Sequence, residues 1–225
     1  MKYEIKGGQL PIVSCTLEKN ESIVTESGGM CWMDDCFEME TSTRGGAMKG
    51  LMRAFSGESI FMTAYTCTKD GGNIAFGSSF PGRIMPVKLD GSKSIIAQKT
   101  AFLASEEGVE LNIHFRKKLG TGFFGGEGFI LQRLSGQGVA FLEIDGDLVE
   151  RDLAAGERLT VDQGYVAFFE ETVKFDIDTV KGMKNKLFSG EGFFVATLEG
   201  PGKVWLQTMP FSVLADRIIA LVPKK

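Results

Sequence analysis

Phe124-Gly-Gly-Glu-Gly-Phe-Ile-Leu-Gln-Arg-Leu-Ser-Gly-Gln-Gly-Val-Ala-Phe-Leu142 lies without a gap on Phe188-Ser-Gly-Glu-Gly-Phe-Phe-Val-Ala-Thr-Leu-Glu-Gly-Pro-Gly-Lys-Val-Trp-Leu206, 64 residues later. A third copy, Phe55-Ser-Gly-Glu-Ser-Ile-Phe-Met62 followed by Asp70-Gly-Gly-Asn-Ile-Ala-Phe76, keeps the frame with a small insertion. Leu17-x-x-x-Glu21-x-Ile23, Leu89-x-x-x-Lys93-x-Ile95 and Leu153-x-x-x-Glu157-x-Leu159 stand at one place ahead of each copy. A fixed period of this length marks tandem structural units. The chain divides near 1–80, 81–146 and 147–209, with a tail at 210–225.

Inside a unit the apolar period is two. Leu111, Ile113 and Phe115 alternate with Asn112, His114 and Arg116, and Val173, Phe175 and Ile177 alternate with Lys174, Asp176 and Asp178. This is the signature of half-buried strands, separated here by Gly-rich turn clusters. The expected fold class is all-β. The excess of glycine, 29 against 6 prolines, agrees with many tight turns. Only the tail reads as a helix of length: Thr208 is placed to cap it, Pro210 suits its first turn, and Phe211, Leu214, Ile218 and Leu221 form a stripe expected to dock on the sheet core. A second short helix is expected around Ala47–Ala54. A unit of ~65 residues buries only about 60% of its unfolded surface. The units must therefore share cores, either by closing on one another with pseudo-threefold symmetry or as one arc of a larger ring.

Composition excludes several functions. The net charge of −4, from 25 basic and 29 acidic residues, opposes a dedicated nucleic-acid binder. A single histidine rules out an imidazole metal cluster within one chain, and His114 alternates onto a polar strand face. Cys15, Cys31, Cys36 and Cys67 form no Cys-x-x-Cys pair and read as reduced, mostly buried thiols. Trp32 and Trp205 read as core or interface anchors. No nucleophile elbow, Walker loop or dinucleotide fingerprint occurs, and the glycine-rich Gly122–Gly128 segment leads into a strand rather than a helix N-terminus. No catalytic residue, metal or cofactor is expected. With no signal h-region, transit pattern or long apolar run, the expected location is cytoplasmic.

Two constellations repeat. Gly57-Glu58, Gly126-Glu127 and Gly190-Glu191 place a carboxylate at the start of a strand in every unit. Metal or acid–base chemistry is one reading; acceptance of backbone N–H bonds from the glycine-rich turn, without chemistry, is the expected one. The segment before each Gly-Glu is basic and apolar: Arg44, Lys49 and Arg53; Arg116, Lys117 and Lys118; Lys181, Lys184 and Lys186. Three such cationic loops would make a band that attracts an anionic surface or an acidic partner. The alternative is solvated charge on loops whose apolar members pack inward.

Ser56-Gly-Glu-Ser-Ile-Phe61, Phe124-Gly-Gly-Glu-Gly128, Phe188-Ser-Gly-Glu-Gly192 and Leu206-Gln-Thr-Met-Pro-Phe211 together resemble the bacterial relatives of the fungal mitochondrial-biogenesis protein called altered inheritance of mitochondria twenty-four. Ser59 departs from the pattern, where the other two units have Gly128 and Gly192. The resemblance implies three tandem domains similar to the tryptophan RNA-binding attenuation protein, each a short double-stranded β-helix. It also implies a homotrimer forming a nine-domain pseudo-ring, and it carries no established catalysis. Two functional expectations follow: a non-enzymatic oligomeric scaffold or binding protein, or an enzyme with a site in an inter-unit or inter-chain cleft, which several carboxylates of shifted pKa would favour.

Overall fold

A computed structural model describes residues 1–26, 28–41, 62–117, 128–179 and 194–222. The order is β1 (Lys2–Lys6), β2 (Ile12–Leu17), β3 (Ser22–Glu26), β4 (Met30–Met33), β5 (Phe37–Thr41), β6 (Met62–Cys67), β7 (Gly72–Gly77), β8 (Gly82–Asp90), β9 (Ile95–Gln98), β10 (Phe102–Glu106), β11 (Val109–Lys117), β12 (Phe129–Asp145), β13 (Leu148–Leu153), β14 (Arg158–Asp162), β15 (Val166–Glu170), β16 (Lys174–Thr179), β17 (Phe194–Glu199), β18 (Gly202–Gln207) and α1 (Phe211–Leu221). The chain is mostly β-sheet with one C-terminal helix. The helix expected around Ala47–Ala54 lies outside the described residues.

Every strand pair is antiparallel, and the registers recur. Glu110 faces Ser135, and 64 residues on in both strands Lys174 faces Glu199. Ile95 faces Leu134 as Leu159 faces Leu198, and Ile84 faces Glu143 as Leu148 faces Gln207. Even the irregularity recurs: register slips between Phe102 and Ala104, and again between Val166 and Phe168. The first third repeats the four pairings as β2·β7, β3·β6, β4·β7 and β5·β6, with its own slip between Met30 and Trp32. One difference from the alternation is β12, a single 17-residue strand that serves two sheets. It turns at Gly136 and Gly138, whose φ values of +90° and +139° favour glycine.

Successive sets are joined strand to strand, β3 to β10 and β9 to β15. The eleven-stranded sheet is thus two six-stranded halves sharing β12: β5-β6-β3-β10-β12-β8 and β11-β12-β9-β15-β18-β13. A four-stranded sheet, β1-β2-β7-β4, stands before them and a three-stranded sheet, β14-β17-β16, after them. Three cores fill the spaces between these layers. Ile23 points into the first and Val24 into the second; Phe168 points into the second and Phe169 into the third. Internal strands with both faces covered must be apolar at every position, which is why Phe102-Leu103-Ala104 and Val166-Ala167-Phe168-Phe169 do not alternate with polar residues.

The helix departs from expectation at its cap and its stripe. Pro210 is the N-cap residue and supplies no side-chain bond. The Asp145 Oδ2 accepts from the Phe211 amide at 2.8 Å, while Thr208 Oγ1 accepts from the Asp147 amide. A carboxylate at the end of β12 thus does the work assigned to Thr208. No residue of α1 is buried, and Ile218, Ile219 and Leu221 are exposed, so the stripe does not enter a sheet core.

Candidate functional site

Two features of the fold present chemistry to the outside: a pair of unpaired strand edges and a cavity beneath α1. The edges follow from the joining rule. β10 and β15 each lie between two strands, and their first four residues are all buried. Among the described residues their equivalent in the first set, β4, pairs on one side only, with β7, and Cys31, Trp32 and Met33 are exposed. Trp32 is 50% exposed where the equivalent Ala104 and Phe168 are 0% and 1%. β14, the equivalent of β3 and β9, pairs among the described residues only with β17 and alternates exposed and half-buried residues. The strand missing from each edge is the type of strand that the other supplies.

One acidic position, not singled out by the sequence, holds all three sets together. Asp34 Oδ2 accepts from the Asn73 amide at 2.8 Å, Glu106 Oε2 from the Val139 amide at 2.7 Å and Glu170 Oε2 from the Lys203 amide at 3.0 Å. Each carboxylate follows or ends the strand β4, β10 or β15 and ties it to the partner strand, near the start of β7 and β18 and just past the Gly138 bend of β12. Glu21 and Glu157 likewise accept from the amides of Glu18 and Ala154, giving the leucine–glutamate turn of the sequence its physical role.

The cavity, of about 630 Å³, lies where the first two sets meet and α1 crosses over them. Its polar lining includes Glu26, Lys99, Glu143, Asp145 and Asp216, and its apolar lining includes Phe80, Phe102 and Phe211. Glu143 accepts from the Ser79 amide at 2.7 Å and from the hydroxyls of Ser78 and Ser79. Burial pushes its carboxyl above the ordinary range, opposed by those bonds and reinforced by the neighbouring Asp145 charge. Burial also raises Asp145, opposed by the bond from the Phe211 amide. Carboxyls of raised pKa in a cleft are the feature that favours the enzyme reading. Among the described residues no His or Cys lines this cavity, however, and both acids are tied to backbone donors.

Among the basic-loop residues, only Arg116 and Lys117 fall within the described residues. Arg116 is exposed; the Lys117 amine donates to the Ile177 carbonyl and so joins β11 to β16. Arg44, Lys49, Arg53, Lys118, Lys181, Lys184 and Lys186 lie outside them, as do Gly57, Glu58, Gly126, Glu127, Gly190 and Glu191. His114 is exposed. Cys15, Cys36 and Cys67 are buried and Cys31 exposed, all of them free thiols. Trp205 stacks on Phe168 at 4.5 Å and donates to Glu150, an anchor with its polar end outward. No group of three metal-ligating side chains occurs among the described residues, and none of their helices is long and apolar enough to cross a membrane.

Comparison with known proteins agrees with the repeated motifs. A family model described as Mitochondrial biogenesis AIM24 matches residues 3–209. The chain is 26% identical over 232 residues to an uncharacterised protein of Streptococcus pyogenes serotype M6, covering 99% of this chain and 92% of that one. A crystal structure of a Streptococcus pyogenes protein superposes with a TM-score of 0.80 at 24% identity, over 98% of this chain and 99% of the other. With the family model spanning nearly all of the sequence, the chain belongs to the Mitochondrial biogenesis AIM24 family.

Proposed function

We propose that this protein is a non-enzymatic, ring-forming scaffold whose copies join head to tail, β4 of one chain beside β14 of the next. The observation that carries the reading is the pair of complementary open edges. Carrying the two internal junctions onto these strands gives the register: Ala104 faces Thr25 and Phe168 faces Ala97, so Trp32 would face Val161 and Met33 would face Thr160. Joined in this way, the four-stranded and three-stranded end sheets make one further sheet of the internal kind, and Trp32 is covered as its equivalents are. An exposed strand edge with apolar side chains is otherwise an aggregation hazard. The two edges differ, so the contact is heterologous and propagates until it closes.

The finer reading is that each set is a module similar to the tryptophan RNA-binding attenuation protein and that three chains close the ring. The basic loops would then recur around it and present cationic charge to an anionic surface or partner. Light scattering on the full chain tests the assembly: the expected mass is three times the 24.5 kDa of one chain. Met33→Asp, which sets a charge into the junction, is expected to leave single chains. A wild-type mass of one chain at micromolar concentration overturns the reading.

A further inference from the structure

We propose that the cavity beneath α1 binds a small organic ammonium ion, its charge between the carboxylates of Glu143 and Asp145 and its apolar body against Phe80 and Phe211. The site lies within one chain and does not depend on ring formation.

Its size comes first: about 630 Å³ falls within the range of cavities that hold small ligands. Glu143 and Asp145 are two residues apart on β12 and so project from one face of the strand. Every donor recorded on them is neutral: the Ser78 and Ser79 hydroxyls and the Ser79 amide for Glu143, and the Phe211 amide for Asp145. Neither forms an ion pair among the described residues. Glu26 and Asp216 add negative charge to the walls, and Lys99 is the one basic residue in the described lining. An incoming cation would offset the desolvation that raises both carboxyls.

The acids are also peculiar to this place in the fold. Position for position, the other two sets carry Gly77 and Ser79, or Gln207 and Met209. A requirement of the shared strand architecture would appear in all three, as the Asp34, Glu106 and Glu170 carboxylates do. The pair is therefore not a requirement of the repeated strand architecture, and α1, present only after the third set, crosses over the cavity that it lines. The walls suit an organic rather than a metal cation. No three ligating side chains converge among the described residues, whereas Phe80 and Phe211 meet edge to face at 4.5 Å and offer aromatic surface to a charged group.

Titration calorimetry of the full chain with 2-phenylethylammonium and with its uncharged counterpart, 2-phenylethanol, tests the assignment. The ammonium compound is expected to bind at least about tenfold more tightly than the alcohol. Glu143→Gln and Asp145→Asn are each expected to reduce ammonium binding about tenfold and to leave the alcohol unchanged. Asp145→Asn retains an oxygen to accept from the Phe211 amide, and the comparison of the two compounds needs no variant. Equal affinities, no ammonium binding by about 10 mM, or ammonium binding indifferent to both substitutions overturns the proposal.

Discussion

A carboxylate at or just past the end of a strand that accepts a backbone amide of the neighbouring strand is a small device, but it recurs at Asp34, Glu106 and Glu170. Glu106 closes the middle set against the Val139 amide, which has a half-buried environment and a poor alternative in solvent. Glu106→Ala is expected to destabilise the fold by about 1–3 kcal/mol, the cost of leaving a buried donor unmet, with Glu106→Gln recovering part of it. Urea unfolding followed by tryptophan fluorescence checks this. The sequence did not display the position because its identity changes from Asp to Glu and because the first copy carries an insertion. It displayed Gly-Glu instead, whose glutamates fall outside the described residues. Burial of the cavity acids was equally hidden, since Glu143 and Asp145 sit in an alternating run that reads as an ordinary exposed strand face.

Strands and their periods were legible because alternation and glycine turns are local signals. Leu17 and Leu153 end their strands, Leu89 stands one residue before the end of the equivalent strand, and all three are buried. Continuity across β12 was not legible, because nothing local says whether a glycine pair ends a strand or bends it. Nor was the capping of α1, which depends on Asp145, brought close only by tertiary structure. Strand exposure gives the sharpest test at this scale. In a Cys31→Ser background, Met33→Cys combined with Thr160→Cys is expected to form disulfides between chains, since the transferred register sets these positions opposite one another. Gel electrophoresis without reductant reads the result. Cross-linked species should be abundant for this pair and sparse for Met33→Cys with Trp205→Cys, which lies in another sheet.

The layers, two six-stranded sheets between a four-stranded and a three-stranded one, explain why a single copy of the repeat could not stand alone: the two outer cores take residues from two successive sets and the middle core from all three. Lys117 is engaged with the Ile177 carbonyl, so charge reversal there would disturb packing as well as charge. The test of the proposed cationic band therefore uses Lys118→Glu with Lys181→Glu. Co-sedimentation with vesicles containing anionic lipid is expected to fall several-fold for that double variant and to fall with added salt, as screening requires. Equal sedimentation with neutral vesicles would remove the surface reading. The unlikeness of the two end sheets has a genetic consequence. In the proposed ring, a subunit damaged only in β14 would still offer a sound β4, enter a mixed assembly, and leave it unable to close. Alleles of that kind are expected to be dominant over the healthy gene, whereas loss of the whole chain would be recessive.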